Sequence, residues 1–197
     1  NPTISNVFTL NGVVAATNSP GATLTGATAN PFVLGGAGDA SNLSLIYRAS
    51  VDYNVVGTTY RGLNIQGSGT RVGTATGNII VNSSAGVSVG EDTGVGLNTL
   101  VMAGFNLTAT AAATFTVIGT SATETGALTF TTGVLSTVDV LIQGAGSYMQ
   151  LGSGSHTVSA SWDNASTSSS WDAGTGTVTF TATSAQAMTW ANTGLSE

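Results

Sequence analysis

The sequence predicts an all-β fold: a parallel β-helix or β-solenoid with an irregular N-terminal strand region. Three observations predict it. No 12-residue window carries apolar residues at i, i+3, i+4 and i+7 against a charged face, so amphipathic helices are not expected. Short apolar/polar alternations recur instead at roughly 8 to 12 positions, bounded by Gly, Ser-Gly or Asn. Gly, Ser, Thr, Ala and Asn supply 121 of the 197 residues, with 33 Thr to fit pleated strands and 27 Gly for corners. A jelly-roll-like β-sandwich with an exchanged terminal strand is the alternative, because it shares the same spacing. The shortness of the segments, three to seven residues, favours stacked turns, in which each strand leans on the turns above and below.

Residues 1–72 read as an N-terminal β cap or head, or as the first, less regular turns of the same stack. They hold all three Pro, all three Arg and three of the four Tyr. Ile4 to Ala16 forms one long apolar strand candidate, and Leu43 to Val56 a second, bent near Ala49-Ser50. The first, through Ile4, Val7, Phe8, Leu10, Val13 and Val14, is the candidate strand for exchange between copies, tethered by Pro20 and Pro31. Residues 73–197 read as the solenoid proper. Its strands are expected at Asn78 to Asn82, Val87 to Val89, Asn98 to Met102, Thr114 to Ile118 and Leu128 to Thr132. They continue at Val138 to Gln143, Tyr148 to Leu151, Thr157 to Trp162 and Thr177 to Thr183. The nearest thing to a helix, Thr108 to Thr116, is an Ala-Thr stretch between strand-like segments.

Composition excludes several classes of function. Charged residues are 6% of the chain and the net charge is −6, against roughly 25% charged residues in an average soluble protein. Helical bundles and coiled coils need more charge than this. Arg48, Arg61 and Arg71, without a single Lys, cannot track a phosphate backbone, so no nucleic-acid partner is expected. The Gly-rich segments lack the Lys of a P-loop. Cys is absent, which removes disulfides and thiolate metal sites. No run of 18 apolar residues is present to span a membrane as a helix. A chain opening on Asn1-Pro2 is expected to be an exported product whose leader has been removed. A surface of hydroxyls, amides and glycine offers little repulsion between copies, so self-association is expected.

Candidates for chemistry are few. Gly86-Val87-Ser88-Val89-Gly90 matches the nucleophile-elbow pattern, and Ser88, Asp139 and His156 follow in α/β-hydrolase order. The elbow needs a helix after Gly90, where the chain reads as a turn. His156, the only histidine, sits in Gly-Ser-Gly-Ser-His-Thr and reads as an exposed loop residue, which also excludes paired-His metal sites. Glu91-Asp92, Asp163 and Asp172 could serve glycoside hydrolysis or calcium, but Asp163 and Asp172 read better as acceptors for neighbouring turn amides. Gly35 to Asp39 approaches a calcium-binding nonapeptide without repeating it. No catalytic, cofactor-binding or metal site is therefore expected, and no cofactor. Trp162, Trp171 and Trp190 form a possible glycan-stacking set, with packing at the solenoid end the simpler role. Thr-x-Thr pairs such as Thr114/Thr116 and Thr179/Thr181 would suit an ice plane if they lay in register on one face. N-glycosylation sequons stand at Asn42, Asn82, Asn106 and Asn164, about as many as chance provides.

Ser159 to Trp190 reads SASWDNASTSSSWDAGTGTVTFTATSAQAMTW. It resembles a repeat of large secreted bacterial surface proteins, adhesins and autotransporter-like passengers. In that repeat a Trp-x-Asn turn precedes an aromatic residue, Ala-Gly-Thr-Gly-Thr-Val-Thr-Phe, a small residue and an Ala-Gln-x-Met/Ile strand. Trp162, Asn164, Trp171, the run from Ala173 to Phe180 and Gln186 stand at the matching positions, and Leu97 to Gly119 looks like a more degraded copy. The resemblance covers about residues 75–190, implies a parallel β-helix on an extracellular surface, and carries no catalytic residues. The expected function is an extracellular structural protein: a self-assembling subunit or segment of a cell-surface filament, sheath or adhesin stalk. Its expected partners are its own copies, with surface glycans a further candidate. A carbohydrate- or ice-binding module is the alternative, and a polysaccharide-active β-helix enzyme the second alternative.

Overall fold

A computed structural model describes residues 2–15, 20–67, 69–90, 96–111, 115–119, 125–165, 170–172, 174–182 and 188–190. Its strands stack in parallel as a β-solenoid of about seven turns, with no helix among the described residues. Two short turns come first, β1 (Thr3–Ile4) with β2 (Phe8–Leu10) and β3 (Gly21–Leu24) with β4 (Phe32–Leu34). Each later turn contributes three strands. These are β5 (Ser44–Tyr47), β6 (Tyr53–Val55) and β7 (Thr59–Tyr60), then β8 (Gly62–Ile65), β9 (Arg71–Ala75) and β10 (Ile79–Val81). Next come β11 (Val87–Val89), β12 (Leu97–Ala103) and β13 (Leu107–Ala109), then β14 (Phe115–Ile118), β15 (Thr125–Phe130) and β16 (Leu135–Thr137). The series closes with β17 (Asp139–Ile142), β18 (Tyr148–Gln150) and β19 (Ser155–Val158), β20 (Trp162–Asn164), β21 (Ser170–Asp172) and β22 (Thr177–Phe180), and β23 (Met188–Trp190).

Three walls result. The first sheet runs β1-β3-β5-β8-β11-β14-β17-β20-β23, the second β6-β9-β12-β15-β18-β21, and the third β7-β10-β13-β16-β19-β22. A two-stranded pair, β2-β4, completes the N-terminal turns. All named pairings are parallel, which excludes the sandwich alternative. The first sheet crosses position 72 without a break, from β5 through β8 to β11.

Period-2 alternation decides what fills the interior. Leu45, Leu63, Val87, Thr116, Val140 and Trp162 lie in register along the first sheet and point inward. Burying each large aliphatic side chain contributes about 1.5–3 kcal/mol. The N-terminal turns are filled by aromatic rings: Phe8 and Phe32 lie 5.6 Å apart, and Tyr47 stacks on Tyr53 at 5.3 Å. Gly73 makes room for Tyr53, since a Cβ there would lie 2.9 Å from its ring. The three buried phenols are satisfied in place. Tyr53 Oη donates to Gln66 O at 3.2 Å, Tyr60 Oη donates to Val56 O at 2.6 Å, and the Tyr47 and Tyr60 hydroxyls meet at 3.3 Å. Burial raises the pKa of all three well above the ordinary phenol value. Further along, Thr116 and Thr137 hydroxyls meet inside the wall at 3.1 Å, and Thr137 Oγ1 donates to Asp139 O across the one-residue corner at Val138.

Several expectations change. Ile4 to Ala16 is not one strand: the chain bends at Ser5-Asn6, and β1 and β2 pair separately with β3 and β4. A solenoid wall admits only a few residues before the next corner, so a long apolar run is divided. Val13 makes a lone parallel bridge to Asp39, and Ala16 lies outside the described residues. Parallel pairing is already present at Thr3, where β1 lies beside β3. The bend near Ala49-Ser50 is present, with β5 and β6 on either side in different sheets. Thr157 to Trp162 divides in the same way: β19 ends at Val158, and Trp162 opens β20. Trp162–Asn164 is accordingly a strand and not a turn. Thr108 to Thr116 carries β13 and the start of β14, with residues 112–114 outside the description.

Replacing Tyr60 by Phe removes the donor to Val56 O and one of the hydrogen-bond partners of the buried Tyr47 hydroxyl. The expected loss is about 1–3 kcal/mol of unfolding free energy. Urea denaturation measures it, and an unchanged midpoint would contradict this hydrogen-bond assignment.

Candidate functional site

Two kinds of surface stand out. The first is the outer face of the third sheet. Thr59, Ile80, Thr108, Ser136, Thr157 and Thr179 lie in one continuous register, one from each strand, and all point outward. Thr157 Oγ1 donates to Ser136 Oγ at 3.1 Å, tying two members of the column together. A second column begins with Asn78 and Asn106. Asn106 N–H donates to Asn78 Oδ1 at 2.9 Å, and Val134 N–H donates to Asn106 Oδ1 at 3.0 Å. Ser155 and Thr177 pair in register further down the sheet. Thr177, Thr179 and Thr181 are all exposed on the last described turn. Rows follow the strand spacing of about 4.8 Å, and positions i and i+2 lie about 6.6 Å apart. No Asp, Glu, Lys or Arg occurs in β10, β13, β16, β19 or β22.

The second kind is the set of strand edges at the two ends of the stack. Among the described residues β1 pairs only with β3, β23 only with β20, β21 only with β18, and β22 only with β19. Of the residues expected to exchange, Ile4, Phe8, Leu10 and Val14 are half-buried against the core, whereas Val7 and Val13 are exposed. At the other end Trp171, Val178 and Phe180 are half-buried and Met188 is exposed.

The remaining candidates are placed as follows. His156 is not in an exposed loop. It is fully buried in β19, with Leu135 N–H donating to Nδ1 at 3.0 Å and Nε2 donating to Leu151 O at 2.9 Å. Both nitrogens are committed to the backbone, so the ring has no lone pair to offer Ser88, which lies in another sheet. Burial lowers the imidazole pKa. Asp172 Oδ1 accepts Gly174 N–H at 2.7 Å, as a turn carboxylate does. Asp163 instead bonds the Thr189 hydroxyl of the adjacent strand. Asp39 accepts Ser41 N–H at 2.9 Å, which holds its carboxyl below the usual range. Glu91 and Asp92 lie outside the described residues. No group of three or more potential metal ligands occurs among the described residues.

Trp162 is buried, 5.2 Å from the half-buried Trp171, and the Trp190 side chain lies outside the description. Trp162 therefore packs beneath Trp171 and cannot share an open platform with it. Among the sequons, Asn82 and Asn106 are exposed, Asn42 Nδ2 donates to Val14 O at 2.9 Å, and Asn164 is buried. A glycan on Asn164 has no room in the folded chain. No described helix is long and apolar enough to cross a membrane. The ordered outer face was not legible in the sequence, where Thr-x-Thr pairs are visible but their register is not.

No protein-family model, curated protein or solved structure matches this chain.

The asparagine column predicts that Asn106→Ala strands Val134 N–H without its acceptor. A loss of about 0.5–1.5 kcal/mol is expected in chemical denaturation, while Asn82→Ala, offered as the control, should change stability by less than about 0.5 kcal/mol.

Proposed function

We propose that the chain is an extracellular structural protein, a self-assembling subunit or segment of a cell-surface filament, sheath or adhesin stalk. The observation that carries this reading is a parallel stack whose end strands, as described, are paired on one side only. An unpaired strand edge presents N–H and C=O groups that another strand can accept. Because the pairing is parallel, the edge at β22 and β23 differs from the edge at β1. Joining copies is then head to tail, a contact that extends into a filament unless the rotation closes it. The same edges serve equally if further turns of a longer chain continue the stack as a stalk. The repeat-like segment from Ser159 to Trp190 supports placing the protein on a bacterial surface.

A second reading, a module that binds ice or a regular carbohydrate surface, is favoured by one observation: the uncharged Thr/Ser/Ile column on the third sheet. Rigid, evenly spaced hydroxyls and methyls present a repeating surface that needs no ordering on contact.

Two experiments separate the readings. Negative-stain imaging of purified protein should show filaments, and deletion of residues 1–17 should leave monomers. Unchanged polymers after the deletion, or monodisperse particles without it, would count against the structural reading. Thr157→Lys places a charge on the outer face, in the fifth of its six strands, while leaving the edges intact. Ice-affinity or glycan-array binding abolished by this change would support the second reading, and binding that survives it would sink it.

A further inference from the structure

The third sheet encloses a histidine that neither functional reading uses. His156 lies in β19, fully buried, with its two ring nitrogens bound on opposite sides. Nδ1 accepts Leu135 N–H from the preceding turn, and Nε2 donates to Leu151 O. This arrangement requires the neutral tautomer with hydrogen on Nε2. Phe130 meets the ring edge-on at 5.6 Å. Gly154 closes the other side: a Cβ there would lie 3.1 Å from the imidazole and 2.2 Å from Gly133 O.

We propose that His156 is an acid-operated latch between two successive turns of the solenoid. A proton arriving at Nδ1 turns an acceptor into a donor aimed at Leu135 N–H. Two donors cannot share that contact, so the protonated ring is accommodated only when β16 and β19 part locally. The strands and corner that touch the ring, β15, β16, Leu151 to Gly154 and β22, contain no Asp, Glu, Lys, Arg or Tyr. Asp172 of β21, whose C=O accepts Leu151 N–H, has its carboxylate engaged with Gly174 N–H at 2.7 Å. Asp139, which opens the strand after β16, is engaged with Ser161 N–H at 2.8 Å.

The direction follows from linkage. Burial holds the folded pKa below the ordinary imidazole value, so the open state binds the proton more tightly. The latch is fully closed above about pH 6.5, and its contribution is lost as pH falls from there through the folded pKa. Opening should rise by up to about tenfold per pH unit within that window. The window is clean because the chain has one His and no Cys, and ordinary carboxylates titrate nearer pH 4.

Hydrogen exchange of the whole chain between pH 7.5 and 5.2, corrected for intrinsic exchange, tests the latch. Protection of residues 133–158 should fall by up to about tenfold per unit below pH 6.5, while the turns from Tyr47 to Ile65 keep theirs. His156→Gln retains an acceptor that cannot be protonated, and its exchange should not respond over this range. If that variant does not fold, ring ¹⁵N shifts of the unmodified protein decide the matter. They should report hydrogen on Nε2 alone at neutral pH and a charged ring only as Leu135 loses protection. A ring that titrates while Leu135 stays protected, or an equal acid response in folded His156→Gln, would overturn the proposal.

Discussion

Every other feature depends on the backbone hydrogen bonding between one turn and the next. Strands of two to seven residues make too few bonds to stand alone, and parallel partners cannot be joined by a short hairpin but need a dozen or more residues between them. Each wall therefore forms only when the chain returns a full turn later. The returning distance varies: Asp52 bonds Val72, 20 residues on, whereas Asn106 bonds Val134, 28 residues on. Extra residues enter at corners between strands and, in β12, at Met102, where the register to β15 shifts between Val101 and Ala103. Inside a strand, an added residue that is not taken up by such a bulge would turn the buried face outward.

Within that frame, side chains mark position along the stack. Aromatic rings fill the N-terminal turns, aliphatic residues the middle, and Trp162 with Trp171 the last described turns. Buried polar groups are used as ties: the Thr116 and Thr137 hydroxyls join the first and last strands of one turn at 3.1 Å, and His156 joins neighbouring turns at 3.0 Å. Where the wall faces outward, the same vertical register produces columns of Asn, Thr and Ser. A chain with 6% charged residues thus uses amides and hydroxyls to join its turns.

The two functional readings draw on different parts of this geometry. Assembly needs only the strand edges at the ends and is indifferent to the side chains of the walls. Surface binding needs the flat outer face of the third sheet and is indifferent to the ends. A stack of turns serves both readings because, among the described residues, its end strands pair on one side only and its third sheet carries an uncharged outer column. The His156 contact belongs to neither, since it acts on how firmly adjacent turns adhere.

The sequence by itself determined that the chain is all-β, built from short strands with small-residue corners. Val87–Val89, where alternation is bounded by Gly86 and Gly90, coincides with its strand, and the bend at Ala49-Ser50 lies where the apolar run weakens. The division of Ile4 to Ala16 was not legible, because an apolar run carries no mark of where a wall ends. Nor was the burial of His156 among glycines and serines, since its partners Leu135 and Leu151 come from the turn before and the corner of its own turn. Tertiary structure alone decided which strands stack, which Thr share a face and which tryptophan goes inside. The reason is physical: alternation is a property of neighbouring residues, whereas register joins residues as few as 18 and as many as 29 positions apart, through corners of unequal length.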